Sequence, residues 1–269
     1  MSDVSGINGA GRAELAKIIR QSGATITVPE AAEILRLPRL QTAQRLARWA
    51  KQGWLTRVRR GLYLPVPLQA RSADDVVEDP WVIAARLFEP CYISGWSAAE
   101  HWGLTEQIFR TVVVVTTRFI SKRKFKMQST EFWVKRVAER HLFGTKTVWR
   151  AKMPIRVADP AKTVVDMLDD PAIGGGVRVV EDVLKAYLAS PNKDTERLLD
   201  YANRMRNGAV FKRLGYLMER ADLNDRALLK KIRSQLTWGN AKLDPALPAD
   251  RLITRWRLWV AASREKTIA

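Results

Sequence analysis

RLQTAQRLARWAKQGWLTRVRRGLY, residues 39–63, decides how the first part of this chain folds. Leu40, Ala43, Leu46 and Ala50 recur at three-and-four spacing, which predicts a helix from Arg39 to about Gln52 with those side chains inward. Gly53 stands where a left-handed cap ends a helix. WLTRV and LYLPV then read as two short strands joined across Arg59-Arg60-Gly61, a hairpin whose glycine takes a positive φ. From Arg36 to Arg60 there are eight bases and no acid: Arg36, Arg39, Arg45, Arg48, Lys51, Arg57, Arg59 and Arg60. A solvated face usually mixes its signs for solubility. A face of one sign points to a polyanion.

Upstream, Leu15, Ile18 and Ile19 outline a short amphipathic helix. In TITVPEAAEILRL, Thr27 and Glu30 have the spacing of a capping box, and Pro29 sits in the first turn, where its missing N–H costs nothing. Ala31, Ile34 and Leu35 form the buried face of that second helix. Pro38 interrupts it by excluding helical geometry from the residue before it. Three short helices and a basic hairpin make a winged helix-turn-helix over residues 1–70.

The run from Pro65 to Asp79 reads as a linker, and residues 71–269 as a second domain of mixed α/β pattern with a largely helical end. The fold class is therefore α+β. TVVVVTT (111–117) is a buried strand by its β-branched run. MPIRVADPAKTVVDML runs from a strand into a helix capped by Asp159, with Pro160 at its first position. Helices follow near 177–189, 194–206 and 209–220. No internal repeat of fixed period is present.

The 269 residues carry 46 Lys+Arg against 28 Asp+Glu, a formal charge of +18. Nucleic acid is the first partner this implies, an anionic membrane surface the second. Residues 1–72 hold +8 of that charge, the remainder +10. Cys91 stands alone, so neither a disulfide within the chain nor a thiolate zinc cluster is expected. No apolar run approaches the roughly 20 residues of a membrane helix, and no signal peptide is seen. The expectation is a cytoplasmic, soluble protein with no cofactor and no metal.

No catalytic pattern in the sequence is complete. Gly174-Gly175-Gly176 lacks the Lys-Ser/Thr of a phosphate-binding loop. Asp159 and Lys162 resemble a nuclease fragment but fit a helix cap better. Asp166, Asp169 and Asp170 surround a helix end, and Ser94 or Ser97 with His101 has no nucleophile elbow. A second basic stretch, Arg118, Lys122, Arg123, Lys124 and Lys126, interleaves with Phe119 and Phe125. Its expected role is a duplex-backbone contact with both phenylalanines in the core. Base stacking by the rings is the alternative.

Four segments, GWLTRVRRGLY (53–63), YISGWSAAEHWGL (92–104), DPAKTVVDMLDDPAIGGG (159–176) and FKRLGYLMER (211–220), resemble the AbiEi antitoxins of bacterial abortive-infection, type IV toxin–antitoxin systems. The resemblance implies an N-terminal DNA-binding domain that represses its own operon and a C-terminal domain needed for antitoxicity. It also implies a nucleotidyltransferase-like toxin as functional partner, opposed without a stable complex. On this reading the protein is not an enzyme, and a monomer binds operator repeats cooperatively. The outward residues Arg39, Gln41, Thr42, Gln44, Arg45 and Arg48 are the expected base readers, since Arg grips guanine and Gln grips adenine in bidentate fashion. Arg36 and Lys51 flank them, and Arg57, Arg59 and Arg60 follow phosphate or enter the minor groove. The competing readings are a DNA-targeted, metal-dependent nuclease and a ligand-responsive winged-helix transcription factor.

Overall fold

The computed structural model describes residues 9–22, 25–66, 79–120, 122–127, 130–150, 153–223 and 225–261. The expected linker lies largely outside them. The chain divides into two compact units. One comprises Met1–Leu87, Lys124–Phe132 and Trp149–Pro154; the other comprises Phe88–Arg123, Trp133–Val148 and Ile155–Ala269.

The first unit begins with helix α1 (Gly9–Ser22), strand β1 (Ile26–Thr27), helix α2 (Val28–Leu35) and helix α3 (Arg39–Lys51). Strands β2 (Leu55–Arg59) and β3 (Leu62–Pro65) form the hairpin, and β1 joins it in the order β1-β3-β2. The expected capping box is present. The Thr27 hydroxyl accepts from the Glu30 N–H at 3.3 Å, and the Glu30 carboxylate accepts from the Thr27 N–H at 3.3 Å. Pro38 ends the turn between α2 and α3, and Gly53 and Gly61 both take φ of +81° as their turns require. A core of Leu15, Ile18, Ile26, Ala31, Leu46, Trp49, Leu55 and Tyr63 holds the unit together.

Helix α4 (Pro80–Phe88) leads to a six-stranded sheet of order β6-β7-β5-β4-β9-β8. Its strands are β4 (Cys91–Ile93), β5 (Thr111–Thr116), β6 (Lys124–Met127), β7 (Thr130–Arg136), β8 (Thr145–Arg150) and β9 (Met153–Ala158). Strand β4 pairs antiparallel with β5 and parallel with β9. Helix α5 (Gly95–His101) lies between β4 and β5 in sequence. The expected 111–117 strand is β5, buried from Val112 to Thr116.

The second unit's main core gathers around helix α6 (Pro160–Asp169), which packs on helices α7 (Val177–Ala189), α8 (Thr195–Arg204) and α9 (Gly208–Arg220). Every residue of α6 from Pro160 to Leu168 is buried. The three glycines at 174–176 form a connector: a short 3-10 turn at Pro171–Gly174, then Gly175 and Gly176 with φ of +83° and +95°. The tail adds helix α10 (Arg226–Ser234) and a small sheet of β10 (Ala241–Lys242), β11 (Arg251–Ile253) and β12 (Leu258–Val260), in the order β10-β12-β11. Trp256 anchors the tail. It is fully buried, and its indole N–H donates to Glu219 at 2.8 Å.

Gly215 makes that anchoring fit: a Cβ there would stand 2.0 Å from the Trp256 ring. Gly215→Ala is therefore expected to destabilise the second unit by about 1–3 kcal/mol through overpacking. Chemical denaturation measures it, and an unchanged midpoint would mean that the indole yields.

Candidate nucleic-acid interface

Helices α2 and α3 are joined by Arg36, Leu37 and Pro38, with Arg36 in the left-handed region at φ 56°. On α3 the buried side chains are Thr42, Leu46 and Trp49, one stripe at four-and-three spacing. This corrects the expected orientation at two positions. Leu40, expected inward, is 73% exposed, and Thr42, expected outward, is wholly buried. The physical cause is angular. Leu40 and Trp49 are nine residues apart, and at 3.6 residues per turn that places them on opposite faces. Only one can enter the core, and the indole buries more apolar surface than a leucine. Thr42 can be carried in because its hydroxyl donates to the Pro38 carbonyl at 3.1 Å, leaving no polar atom unsatisfied.

The opposite face presents Leu40, Gln44, Arg48 and Lys51 in succession, with Arg39 and Gln41 beside them in the first turn. All six are exposed. Arg45 is half-buried, and its guanidinium is held by both carboxylate oxygens of Glu14 on α1. It thus ties α1 to α3, one terminal guanidinium nitrogen serving both oxygens of the carboxylate. The exposure of Leu40 was not expected because apolar side chains are assigned to cores by default. Its distance from Trp49 along the helix was the available signal.

In the wing, Arg57 and Arg60 are exposed. Arg59 pairs through its backbone with Leu62, after a register shift between Arg57 and Arg59. Its side chain lies outside what is described. The Val28 N–H donates to the Gly61 carbonyl at 3.1 Å, fixing the wing turn to the start of α2. Among the described residues no acid pairs with Arg36, Arg39, Arg48, Lys51, Arg57 or Arg60, so the positive field of this face is not cancelled locally.

In the second basic stretch, Arg118, Lys122, Arg123, Lys124 and Lys126 are all exposed. Phe119, expected in the core, is 80% exposed with the Arg136 guanidinium 5.7 Å above its ring. The side chain of Phe125 lies outside the described residues. Phe119 stands three residues past the end of β5, where the chain has left the sheet.

The residues weighed as catalytic are engaged otherwise. Asp159 caps α6, accepting from the Lys162 N–H at 2.8 Å, and takes a second bond from the Tyr201 hydroxyl at 3.0 Å. Lys162 is fully buried, and its ammonium donates to Asp166 and, at 2.9 Å, to the Tyr92 hydroxyl. Tyr92 and Ser94 in turn donate to Asp166 at 3.0 and 2.7 Å. Burial, with the Asp166 carboxylate beside it, pushes the Tyr92 phenol well above its ordinary value, so it stays a donor. Asp169 titrates below its ordinary value. Burial alone would raise it, but the Lys135 ammonium at 2.6 Å and the Asn207 amide at 2.7 Å outweigh that. Ser97 accepts from the Val113 N–H at 3.0 Å, and His101 is half-buried against Trp102. No cluster of His, Cys, Asp and Glu able to hold a metal occurs among the described residues. Among the described residues no helix is long and apolar enough to cross a membrane.

Comparison with known proteins bears on the first unit. Residues 14–66 match the family model of the AbiEi antitoxin transcriptional regulators. The AbiEi match runs from within α1 to the end of the wing, the segment that carries the exposed basic face. A search of curated proteins returned no match. Over its whole length the chain is similar in fold to the solved RV2827C protein from Mycobacterium tuberculosis. The TM-score is 0.61 at 13% identity, covering 96% of this chain and 94% of that one. The likeness therefore extends beyond the AbiEi-matching segment as fold alone.

Proposed function

We propose that this protein is a non-enzymatic, DNA-binding transcriptional repressor and antitoxin of the AbiEi type. It autoregulates its operon at inverted repeats and opposes a nucleotidyltransferase-like toxin without holding it in a stable complex. The observation that carries the reading is the uncompensated, acid-free face of α3 and the wing, inside the segment matching the AbiEi regulators. In this reading α3 enters the major groove, as the second helix of a helix-turn-helix does. Gln41 and Gln44 read adenine edges, Arg39 and Arg48 reach guanine or phosphate, and Leu40 touches a thymine methyl. Arg36, Lys51, Arg57, Arg59 and Arg60 hold the backbone, which supplies affinity and register without sequence information. Residues 1–70 act as the DNA-binding part and 71–269 as the antitoxin part.

The test is titration of the full chain against the duplex upstream of its own gene and a scrambled duplex of equal composition. Gln44→Ala is expected to lose about 1–3 kcal/mol on the native site and nearly nothing on the scrambled one. Leu40→Ala is expected to remove discrimination against thymine-to-cytosine changes while leaving scrambled-site binding intact. Equal affinity of the unaltered protein for both duplexes would overturn the repressor reading.

A further inference from the structure

The tail beyond α9 has no part in the interface above, yet it is strongly basic. Between Arg226 and Arg257 lie eight bases and two acids, Asp244 and Asp250. In its midst, on the turn between α10 and β10, stands Trp238, 91% exposed. The turn that displays this indole is firmly built. Arg257 donates from its guanidinium to the Thr237 carbonyl at 2.9 Å, and Lys212, itself buried, donates to the Gly239 carbonyl at 2.8 Å. The carbonyls on either side of Trp238 are thus pinned by two cations. Gly239 takes φ of +78°, and Gly208 leaves room for Thr237, whose hydroxyl lies 2.0 Å from where a Cβ would stand. The same Arg257 guanidinium lies 4.9 Å over the Trp238 ring and backs one of its faces. The carboxylate of Glu219 is shared by Arg233, Arg255 and the Trp256 indole, leaving the surroundings net positive.

An aromatic ring and an arginine also suit a protein interface. Such an interface needs an apolar patch around its anchor. Here Ser234, Gln235, Thr237, Gly239, Asn240 and Lys242 are all exposed and none is apolar. The apolar element is one ring wide, the size of a base, and its setting is cationic, as a phosphate chain requires. Duplex bases have their faces covered by their neighbours. Unpaired bases of RNA loops and ends are splayed out and taken up on aromatic rings and guanidinium planes.

We propose that Trp238 and Arg257 form a stacking site for an unpaired base of single-stranded RNA, the base lying on the indole face that Arg257 leaves open. Its phosphates lie in the field of Arg257 and the last turn of α10, where Lys231 and Arg233 stand. The site is built from residues of the second unit alone and does not depend on the repressor reading.

The experiment is fluorescence anisotropy of a short labelled uridine-rich RNA with the full-length protein, in the presence of excess unlabelled duplex DNA to occupy other basic surfaces. Trp238→Ala is expected to weaken binding about 5- to 150-fold, the range alanine substitution gives for one base–aromatic stack. Trp238→Phe, which keeps a ring, is expected to retain most of the affinity, and both variants should bind duplex DNA as the parent does. Because the side chain is exposed, an unchanged melting temperature is expected as well. RNA binding that is indifferent to Trp238→Ala would overturn the proposal. So would competition by single-stranded DNA or duplex RNA as effective as by single-stranded RNA, or displacement by polyglutamate, which would point to an acidic protein.

Discussion

Asp166→Ala is expected to destabilise the second unit by about 3–5 kcal/mol, the range found when one partner of a buried ion pair is removed. The Lys162 and Asp166 side chains are 0% and 4% exposed, so neither has water to fall back on. The ammonium of Lys162 is surrounded by the Asp166 carboxylate, the Tyr92 hydroxyl and the Phe143 ring, 4.7 Å away. Deleting the carboxylate strands that ammonium and leaves the Tyr92 and Ser94 hydroxyls without their acceptor. Lys162→Met should be costly for the complementary reason, a carboxylate left with hydroxyl donors alone. The pair's own contribution is isolated by Lys162→Met with Asp166→Leu. That double variant is expected to be more stable than the sum of the single losses implies, because no uncompensated charge remains. Denaturant melts of the four proteins measure the coupling. Additive losses below about 1 kcal/mol each would show that the charges are not interdependent.

That network also marks where sequence reasoning stops. In DPAKTVVD the helix α6 is marked by its Asp159 cap and Pro160, and nothing local foretells that Lys162 is buried. Its burial is decided by Tyr92 and Ser94, some 70 residues earlier, which no local pattern connects to it. Features governed by local backbone chemistry were legible: the Thr27–Glu30 capping box, the break at Pro38, the positive φ of Gly53 and Gly61, and the 177–189 helix, observed as α7 at Val177–Ala189. Features governed by competition between faces were not. The basic character of α3 is evident in its letters, yet which residues point outward depends on Trp49 displacing Leu40 from the core. Strands β10, β11 and β12 have only two or three residues each, too short for any alternation to register. The exposure of Phe119 and Trp238 likewise follows from where the chain leaves its core, a property of the whole fold.

Raising salt from 50 to 200 mM is expected to weaken duplex binding by about 10³, the largest change in affinity foreseen for this protein. Each neutralised phosphate contributes roughly −0.9 to the slope of log affinity against log salt. Six exposed bases of the α2–α3 turn, α3 and the wing lack an acidic partner among the described residues: Arg36, Arg39, Arg48, Lys51, Arg57 and Arg60. If all six meet phosphate the slope is about −5, and a fourfold rise in salt then costs about three decades. Arg57→Ala with Arg60→Ala should flatten the slope by about 2 and weaken every duplex alike, since a point charge on the wing reads no base. Gln44→Ala should leave the slope alone while altering preference, because an amide releases no counterions. A slope near zero would contradict the electrostatic basis of the interface. A slope near −10 would demand phosphate contacts beyond these six, and the exposed bases between Arg118 and Lys126 would be the first to test by charge reversal.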